Sequence, residues 1–136
     1  MHRRRPEQDI QRALFEHIDR RGVPGLAAIH CPNGGWRSPI EAKILQSLGV
    51  TAGVPDVLLW FDCKAYALEL KSEVGRTTEA QLEMLNRLSE AGVFTAICHS
   101  LDRALAVLES WSARIVVVGE PGKATGERNE WDDDQD

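Results

Sequence analysis

Two acidic residues and a lysine stand at the ends of two apolar runs in the middle of the chain. Asp56 opens the run 57–61, and Glu69 and Lys71 end a second apolar run. Because successive side chains of a strand point to opposite faces, Glu69 and Lys71 share one face. A carboxylate and an ammonium group on a central strand are costly unless they are paired, bound to a metal or hydrated in a cleft.

This set of charged groups suits metal-dependent hydrolysis of a phosphodiester. Two carboxylates that converge from neighbouring strands can hold Mg²⁺ or Mn²⁺, which prefer oxygen ligands. Such a cation polarises a phosphodiester and lowers the pKa of a bound water. Lys71 beside it would orient or deprotonate that water, or offset charge in the transition state. The structural alternative is a buried ion pair at a strand end, and the residue types alone leave both interpretations open.

The two acidic positions come together if the two runs form a hairpin. The strands are predicted at 57–61 and 65–71, and the tight connection 62–64 between them predicts antiparallel neighbours. With a turn of that length, Asp56 lies opposite about Leu70. The open end of the hairpin therefore carries all three charged side chains.

Apolar periodicity and capping residues predict the elements around the hairpin. Ile40, Ile44 and Leu48 form the predicted buried face of the second helix, and the run 115–118 is a candidate edge strand. The order predicts an α/β sandwich with a central mixed sheet flanked by helices, since a full helix before the last strand implies a parallel crossover. The helices are predicted at 6–21, 39–48, 78–91 and 101–111, and the outer strands at 26–31 and 93–98.

These motifs resemble a known family. Pro55-Asp56 followed by Glu69-Leu70-Lys71 resembles the PD-(D/E)xK nuclease signature. Three further features look like its small VRR-NUC branch: the turn His30-Cys31-Pro32-Asn33-Gly34-Gly35, the approach at 48–56 and the downstream Gln81. The fold that this resemblance implies is the restriction-endonuclease-like core.

The resemblance covers about residues 7–110 and implies a DNA endonuclease that depends on Mg²⁺ or Mn²⁺. In the family pattern, Asp56 and Glu69 hold the metal, and the carbonyl of Leu70 is a further candidate ligand. Lys71 positions or activates the attacking water. Whether Lys71 acts as a base or as an electrostatic stabiliser stays open, because burial and nearby carboxylates shift a lysine pKa in opposite directions.

Two more residues match family positions but also have a structural interpretation. Glu7 matches an acid on the first helix that completes the metal site, although an acid there also suits the positive end of the helix dipole. Gln81 matches a residue at the edge of the active site, although Thr78-x-x-Gln81 also fits a capping box. The sequence does not choose between the two interpretations for either residue.

The expected partner is DNA. Asn33, Arg37, Lys43 and Arg76 are predicted to contact it, the three basic side chains through phosphates. Stand-alone members of this branch are similar to Holliday-junction resolvases, which implies branched DNA and a twofold homodimer with one active site per strand. Two alternatives remain: a nuclease for flapped, nicked or single-stranded DNA, and a non-catalytic DNA-binding adaptor that keeps the nuclease core.

The acidic charge of the chain is concentrated at its end. The 136 residues carry 21 acids and 16 lysines and arginines, a net charge of −5. Residues 127–136 hold six acids and one arginine, which is −5, so residues 1–126 hold 15 of each sign and are neutral. The net charge is therefore compatible with DNA binding. We expect one nuclease domain at 1–118 and a flexible acidic tail at 119–136.

Several other classes of protein are disfavoured. No apolar run approaches the ~20 residues that span a membrane, and no apolar segment suited to a secretory signal follows the basic N-terminus. The three cysteines are widely spaced, which suits reduced thiols, and neither they nor the histidines show zinc-site spacing. We expect a cytoplasmic protein without a membrane segment.

Overall fold

A computed structural model describes residues 6–32 and 37–111 of the chain. Within them, helices and strands follow in the predicted α/β order, each within one residue of its predicted bounds. The helices are α1 (Pro6–Arg21), α2 (Pro39–Ser47), α3 (Glu79–Glu90) and α4 (Leu101–Ser110). The strands are β1 (Ala27–His30), β2 (Val57–Phe61), β3 (Lys64–Leu70) and β4 (Phe94–Cys98).

The strands form one mixed sheet in the order β1-β2-β3-β4. β1 pairs antiparallel with β2, and β2 antiparallel with β3, whereas β3 and β4 are parallel. The predicted mixed sheet and the predicted crossover before its last strand are both confirmed. β3 is an inner strand with a partner on each side, so its position is fixed by two ladders of hydrogen bonds.

A two-residue turn closes the β2–β3 hairpin. Phe61 pairs with Lys64, and only Asp62 and Cys63 lie between them. Both have positive φ angles, 50° and 62°. Positive φ at both central residues is the backbone of a type I′ turn, whose twist matches the twist of the strands that it joins.

The shorter turn shifts the register by one residue from the predicted one. Val57 pairs with Leu68, and extending that register by one step puts Asp56 opposite Glu69 rather than opposite Leu70. The reason is that Lys64, predicted as part of the turn, is the first residue of β3. The correction brings the two acids directly across from each other.

One face of the sheet builds the hydrophobic core, against α1 and α4. The ring of Tyr66 lies 5.3 Å from that of Phe94 and 5.1 Å from that of Trp111, which closes one end of this layer. The helices place their apolar stripes on the sheet, since apolar burial is the main stabilising contribution to such a layer. The buried residues of the core are Leu14, Val57, Leu59, Tyr66, Leu68, Leu70, Cys98, Ala104 and Leu108.

The opposite face of β3 carries Ala67 and Glu69, because side chains alternate along the strand. α3 packs on this side with Met84 and Leu85 buried. Among the described residues, Glu69 is the only charged side chain that is fully buried, with 2% exposure.

The second helix differs from the expectation. α2 begins as predicted, because Ser38 Oγ accepts a hydrogen bond from the backbone N–H of Glu41 at 3.2 Å. Its predicted buried face is wrong: Ile40, Ile44 and Leu48 are 73%, 54% and 75% exposed. The chain leaves β1 and enters β2 at the same end of the sheet, so α2 lies beyond that end rather than on a face.

Some predictions fall outside the described residues. These are the strand at 115–118, the tail at 119–136 and the boundary between them. Among the helices formed by residues 6–32 and 37–111, none has the length and apolar character that a bilayer crossing requires.

Candidate active site

Asp56 is held from two sides at the entry to β2. Its carboxylate Oδ2 accepts a hydrogen bond from the backbone N–H of Leu70 at 2.8 Å. Its carbonyl oxygen accepts from the N–H of Cys31 at 2.8 Å and lies 2.8 Å from Nδ1 of His30. Because a carbonyl can only accept, His30 must carry its proton on Nδ1 to make this contact. β1 and β3 together therefore fix both the backbone and the carboxylate of Asp56.

Glu69 and Lys71 lie side by side, as the alternation of the strand predicts. Lys71 Nζ is 3.6 Å from Glu69 Oε1, and the two side chains are 12% and 3% exposed. The other carboxylate oxygen, Glu69 Oε2, is buried without a hydrogen-bond partner in the described part of the chain. A buried acceptor that lacks a donor carries a free-energy penalty of about 1–3 kcal/mol, and more when it is charged.

The surroundings of Glu69 favour a bound proton or a bound cation. Burial, followed by the negative charge of Asp56 and a hydrogen bond with it, raises the pKa of Glu69 from 4.5 to about 8, against the opposing effect of Lys71. Two carboxylates can share such a hydrogen bond only when one of them is protonated. When both are ionised, Oε2 is an acceptor that nothing satisfies.

Gln81 contributes one amide group to two structures at once. Its Oε1 accepts from the N–H of Thr78 at 2.9 Å, while Thr78 Oγ1 accepts from the N–H of Gln81 at 3.2 Å. This is the predicted capping box, present in full. Its Nε2 then donates to Glu69 Oε1 at 3.2 Å. The cap fixes which way the amide points, because Oε1 must face Thr78 and only Nε2 remains for Glu69.

Gly53 lets the loop before Asp56 approach the start of α3. It has φ +79°, and a Cβ built on it would lie 2.8 Å from the N atom of Gln81 and inside contact distance of the carbonyl of Ala80. Only glycine tolerates this backbone and this approach together. Gly53 therefore positions Gln81. The sequence interpretation gave it no such role, although a glycine just before a Pro-Asp pair is a signal for a constrained backbone.

The oxygen atoms at this end of the hairpin fit a divalent cation. A buried carboxylate oxygen without a donor, next to a second carboxylate, is what Mg²⁺ or Mn²⁺ would satisfy. No group of three or more histidine, cysteine or acidic side chains suited to a metal occurs in residues 6–32 and 37–111. Mg²⁺ does not need such a group, because it is usually bound through one or two carboxylates plus water and substrate phosphates.

The other predicted ligands are not gathered at the carboxylate pair. Glu7 is half-buried in the first turn of α1, and no cluster of three acids forms around Asp56 and Glu69 in the described residues. The N–H of Leu70 is engaged by Asp56, while a role for its carbonyl stays a prediction, as does the role of Glu7.

The basic residues predicted to contact DNA are all exposed. Arg37 lines a cavity of about 430 Å³ together with α2, the loop 50–53 and Gln81. Lys43 lies on α2, and Arg76 lies in the loop before α3. Asn33 is outside the described residues. Arg37 therefore lines the same cavity as Gln81, the residue that contacts Glu69. The DNA contacts themselves stay predictions.

Solved structures of other proteins share this fold. Two solved structures described as VRR_NUC domain proteins resemble the chain in fold, with TM-scores of 0.64 and 0.56 and identities of 20% and 16%. The first comparison covers 82% of this chain and 91% of the other, and the second covers 79% and 99%. No curated protein matches the chain significantly.

The mixed sheet flanked by helices is an α/β fold that the chain shares with these two structures. The family model of the VRR-NUC domain matches residues 6–102. The chain belongs to the VRR-NUC family.

The raised pKa of Glu69 gives a prediction for the metal-free protein. Between about pH 5 and 8 the folded protein holds a proton that the unfolded chain, with a glutamate pKa of 4.5, has lost. The free energy of unfolding should therefore fall as the pH rises through this range, because the folded state must either keep the proton or bury a charge. Thermal melts in EDTA from pH 5 to 8 measure this. Glu69→Gln, which cannot ionise, should show a clearly shallower decline, and parallel curves would contradict the assignment.

A second prediction concerns Gly53. Gly49 has a similar backbone, φ +97°, but a Cβ there meets no described atom within 4 Å. Gly49→Ala should therefore cost only the strain of a left-handed residue, about 1–2 kcal/mol. Gly53→Ala should lower the free energy of unfolding by about 2 kcal/mol more, because the start of α3 must move.

Chemical denaturation of both variants measures this difference. If DNA cleavage is the activity, Gly53→Ala should also slow it by about tenfold or more, since Gln81 moves away from Glu69. If the two substitutions lower the free energy of unfolding equally, the close approach of Gly53 to α3 does not contribute to stability.

Proposed function

We propose that this protein is a metal-dependent endonuclease that hydrolyses DNA phosphodiester bonds. The observation that carries the proposal is the buried Oε2 of Glu69, which lacks a donor and lies next to Asp56, with Lys71 3.6 Å from the other oxygen. The ion pair with Lys71 and the hydrogen bond from Gln81 both involve Oε1, so neither of them satisfies Oε2. Membership of the VRR-NUC family supports a nuclease.

In this proposal each residue has a separate task. A bound Mg²⁺ or Mn²⁺ supplies Lewis-acid polarisation of the phosphodiester and acidifies a water. Asp56 and Glu69 hold the cation, and Gln81 keeps Oε1 of Glu69 in place, so that the two carboxylates need no rearrangement when substrate arrives.

Lys71 lies at the same face and points its ammonium group at Glu69. There it would orient the attacking water, and would either accept its proton or neutralise charge on the phosphoryl oxygens. The lysine is mostly buried, so little bulk water screens its charge at this position.

We propose further that the substrate is branched DNA of the Holliday-junction type and that two copies of the chain act together. The resemblance of stand-alone VRR-NUC proteins to junction resolvases supports this. A symmetric pair of cuts on two strands needs two active sites related by a twofold axis.

The test of the reaction is a pair of matched substitutions. Asp56→Asn keeps an oxygen for the N–H of Leu70 but removes the negative charge, so it should lower Mg²⁺-dependent plasmid nicking by about 10³-fold or more while DNA is still bound. Asp62→Asn makes the same change in the hairpin turn, where asparagine tolerates the positive φ, and should cleave normally. DNA binding without cleavage by wild type in Mg²⁺ and in Mn²⁺ would instead favour the adaptor.

The substrate class is tested with a panel of labelled DNAs. A four-way junction, a flap, a nicked duplex, an intact duplex and a single strand are compared at equal concentration in Mg²⁺ and in Mn²⁺. The junction should be cut fastest, on two opposite strands, because the pair of sites matches its symmetry. Faster cleavage of the flap or the single strand would contradict the junction assignment and leave the metal-dependent reaction standing.

A further inference from the structure

Two histidines flank the carboxylate pair at one end of the sheet. β1 ends at His30, and His99 directly follows β4. Because β1 is antiparallel to β2 and β4 is parallel to β3, both outer strands finish at the end of the sheet where the two acids lie. The order across this end is therefore His30, Asp56, Glu69 and His99.

Each of these histidines contacts a main-chain carbonyl of the candidate site. Nδ1 of His30 lies 2.8 Å from the carbonyl oxygen of Asp56. Nδ1 of His99 lies 2.8 Å from the carbonyl oxygen of Ser72, the residue directly after Lys71. Because a carbonyl can only accept, both rings donate from Nδ1. The neutral ring with its proton on Nδ1 and the doubly protonated ring can both make this contact.

The two carbonyls already have a backbone partner each. The N–H of Cys31 donates to Asp56 at 2.8 Å, and the N–H of Gly75 donates to Ser72 at 3.1 Å. Each imidazole is therefore a second donor on an oxygen that is already paired. Both histidines are exposed, so neither fills the core. What a second donor adds is a fixed direction of the carbonyl, and with it a fixed main chain at this point.

We propose that His30 and His99 are positioning residues of the candidate active site. His30 fixes the main chain of Asp56, and His99 fixes the segment that follows Lys71. In this role neither imidazole touches the reacting atoms, because each acts through the residue that it holds. The inference rests on the proposed function, since it assigns both histidines to the proposed cation site and its reaction.

The two contacts have consequences that can be separated. Asp56 is a proposed cation ligand, and a shift of its main chain would change the distance between the two carboxylates. Loss of the His30 contact should therefore weaken cation binding. Lys71 lies 3.6 Å from Glu69 but is not a proposed ligand. Loss of the His99 contact should therefore slow the reaction and leave the cation affinity unchanged. Hydrogen bonds that orient a metal site from outside affect its affinity or activity by about 10- to 100-fold.

Calorimetric titration of Mn²⁺ into the full chain, without DNA, tests the first contact. His30→Ala removes the donor and should weaken Mn²⁺ binding by about tenfold or more. His30→Asn should keep the affinity within about threefold of wild type, because its amide nitrogen lies as many bonds along the side chain as Nδ1 does. His30→Gln carries its amide nitrogen at the distance of Nε2 and should bind as weakly as His30→Ala. His99→Ala is the matched control and should bind Mn²⁺ like wild type.

Cleavage rates at increasing Mg²⁺ concentration test the second contact. His30→Ala should cleave slowly at low Mg²⁺ and recover at high Mg²⁺, because its defect lies in cation affinity. His99→Ala should stay about tenfold slower at every Mg²⁺ concentration, with KM for DNA unchanged. His99→Asn should restore the rate. Circular dichroism melts check that each variant is folded, and their midpoints should fall by only about 5 °C or less, because both side chains are exposed.

Ring ¹H–¹⁵N correlation spectra of the metal-free protein test the two hydrogen bonds directly. The neutral ring of each histidine should carry its proton on Nδ1, because the hydrogen bond of a ring decides which nitrogen is protonated. The spectra of His30→Ala and His99→Ala assign the two sets of signals. This measurement needs neither metal nor cleavage.

Three results would overturn the inference and leave the proposed reaction standing. They are neutral rings with the proton on Nε2, alanine variants that match wild type in Mn²⁺ affinity and in cleavage, and an activity that His30→Gln keeps and His30→Asn loses. The last result would assign His30 to a substrate contact through Nε2. A wild type that neither binds Mn²⁺ nor cleaves DNA would overturn the proposed reaction itself, and the inference with it.

Discussion

The candidate site depends on two carboxylates held across from each other at the open end of the β2–β3 hairpin. Asp56 and Glu69 lie on neighbouring strands, and a single lysine reaches one oxygen of the pair. Burial and mutual repulsion both disfavour the doubly ionised state, which is why the pKa of Glu69 rises to about 8. A proton or a divalent cation relieves this penalty. The unfavourable electrostatics of two ionised carboxylates are thus the same property that would give the site its affinity for metal.

Two features that hold the site also have ordinary structural roles. They are the cap of α3 and the close approach of Gly53 to that helix. The cap of α3 would stabilise the helix in any protein, but here it leaves one amide hydrogen donor facing Glu69. The close approach at Gly53 joins the loop before Asp56 to the start of that helix. The stability of α3 and the geometry of the site are therefore coupled, because a substitution of Gln81 or of Gly53 would affect both.

Much of this arrangement could be predicted from the sequence, and the exceptions have physical causes. The alternation of side chains along β3 predicts that Glu69 and Lys71 share a face, because alternation is a local property of a strand. The register was wrong by one residue because the length of the turn decides it. The apolar stripe of α2 was placed in the core because periodicity shows which side is apolar and not what covers it. The contact of Gly53 with α3 joins segments almost thirty residues apart, which no local pattern reports.

β3 ties the candidate active site to the hydrophobic core. Leu68 and Leu70 point into the hydrophobic layer with 0% and 2% exposure, while Glu69 between them points into the site. Each buried leucine contributes about 2 kcal/mol, so a few of them offset the penalty of several kcal/mol for burying a carboxylate. The strand cannot turn Glu69 toward water without exposing its leucines. The core thus fixes the position of Glu69, whereas the basic residues predicted to contact DNA lie at exposed positions outside it.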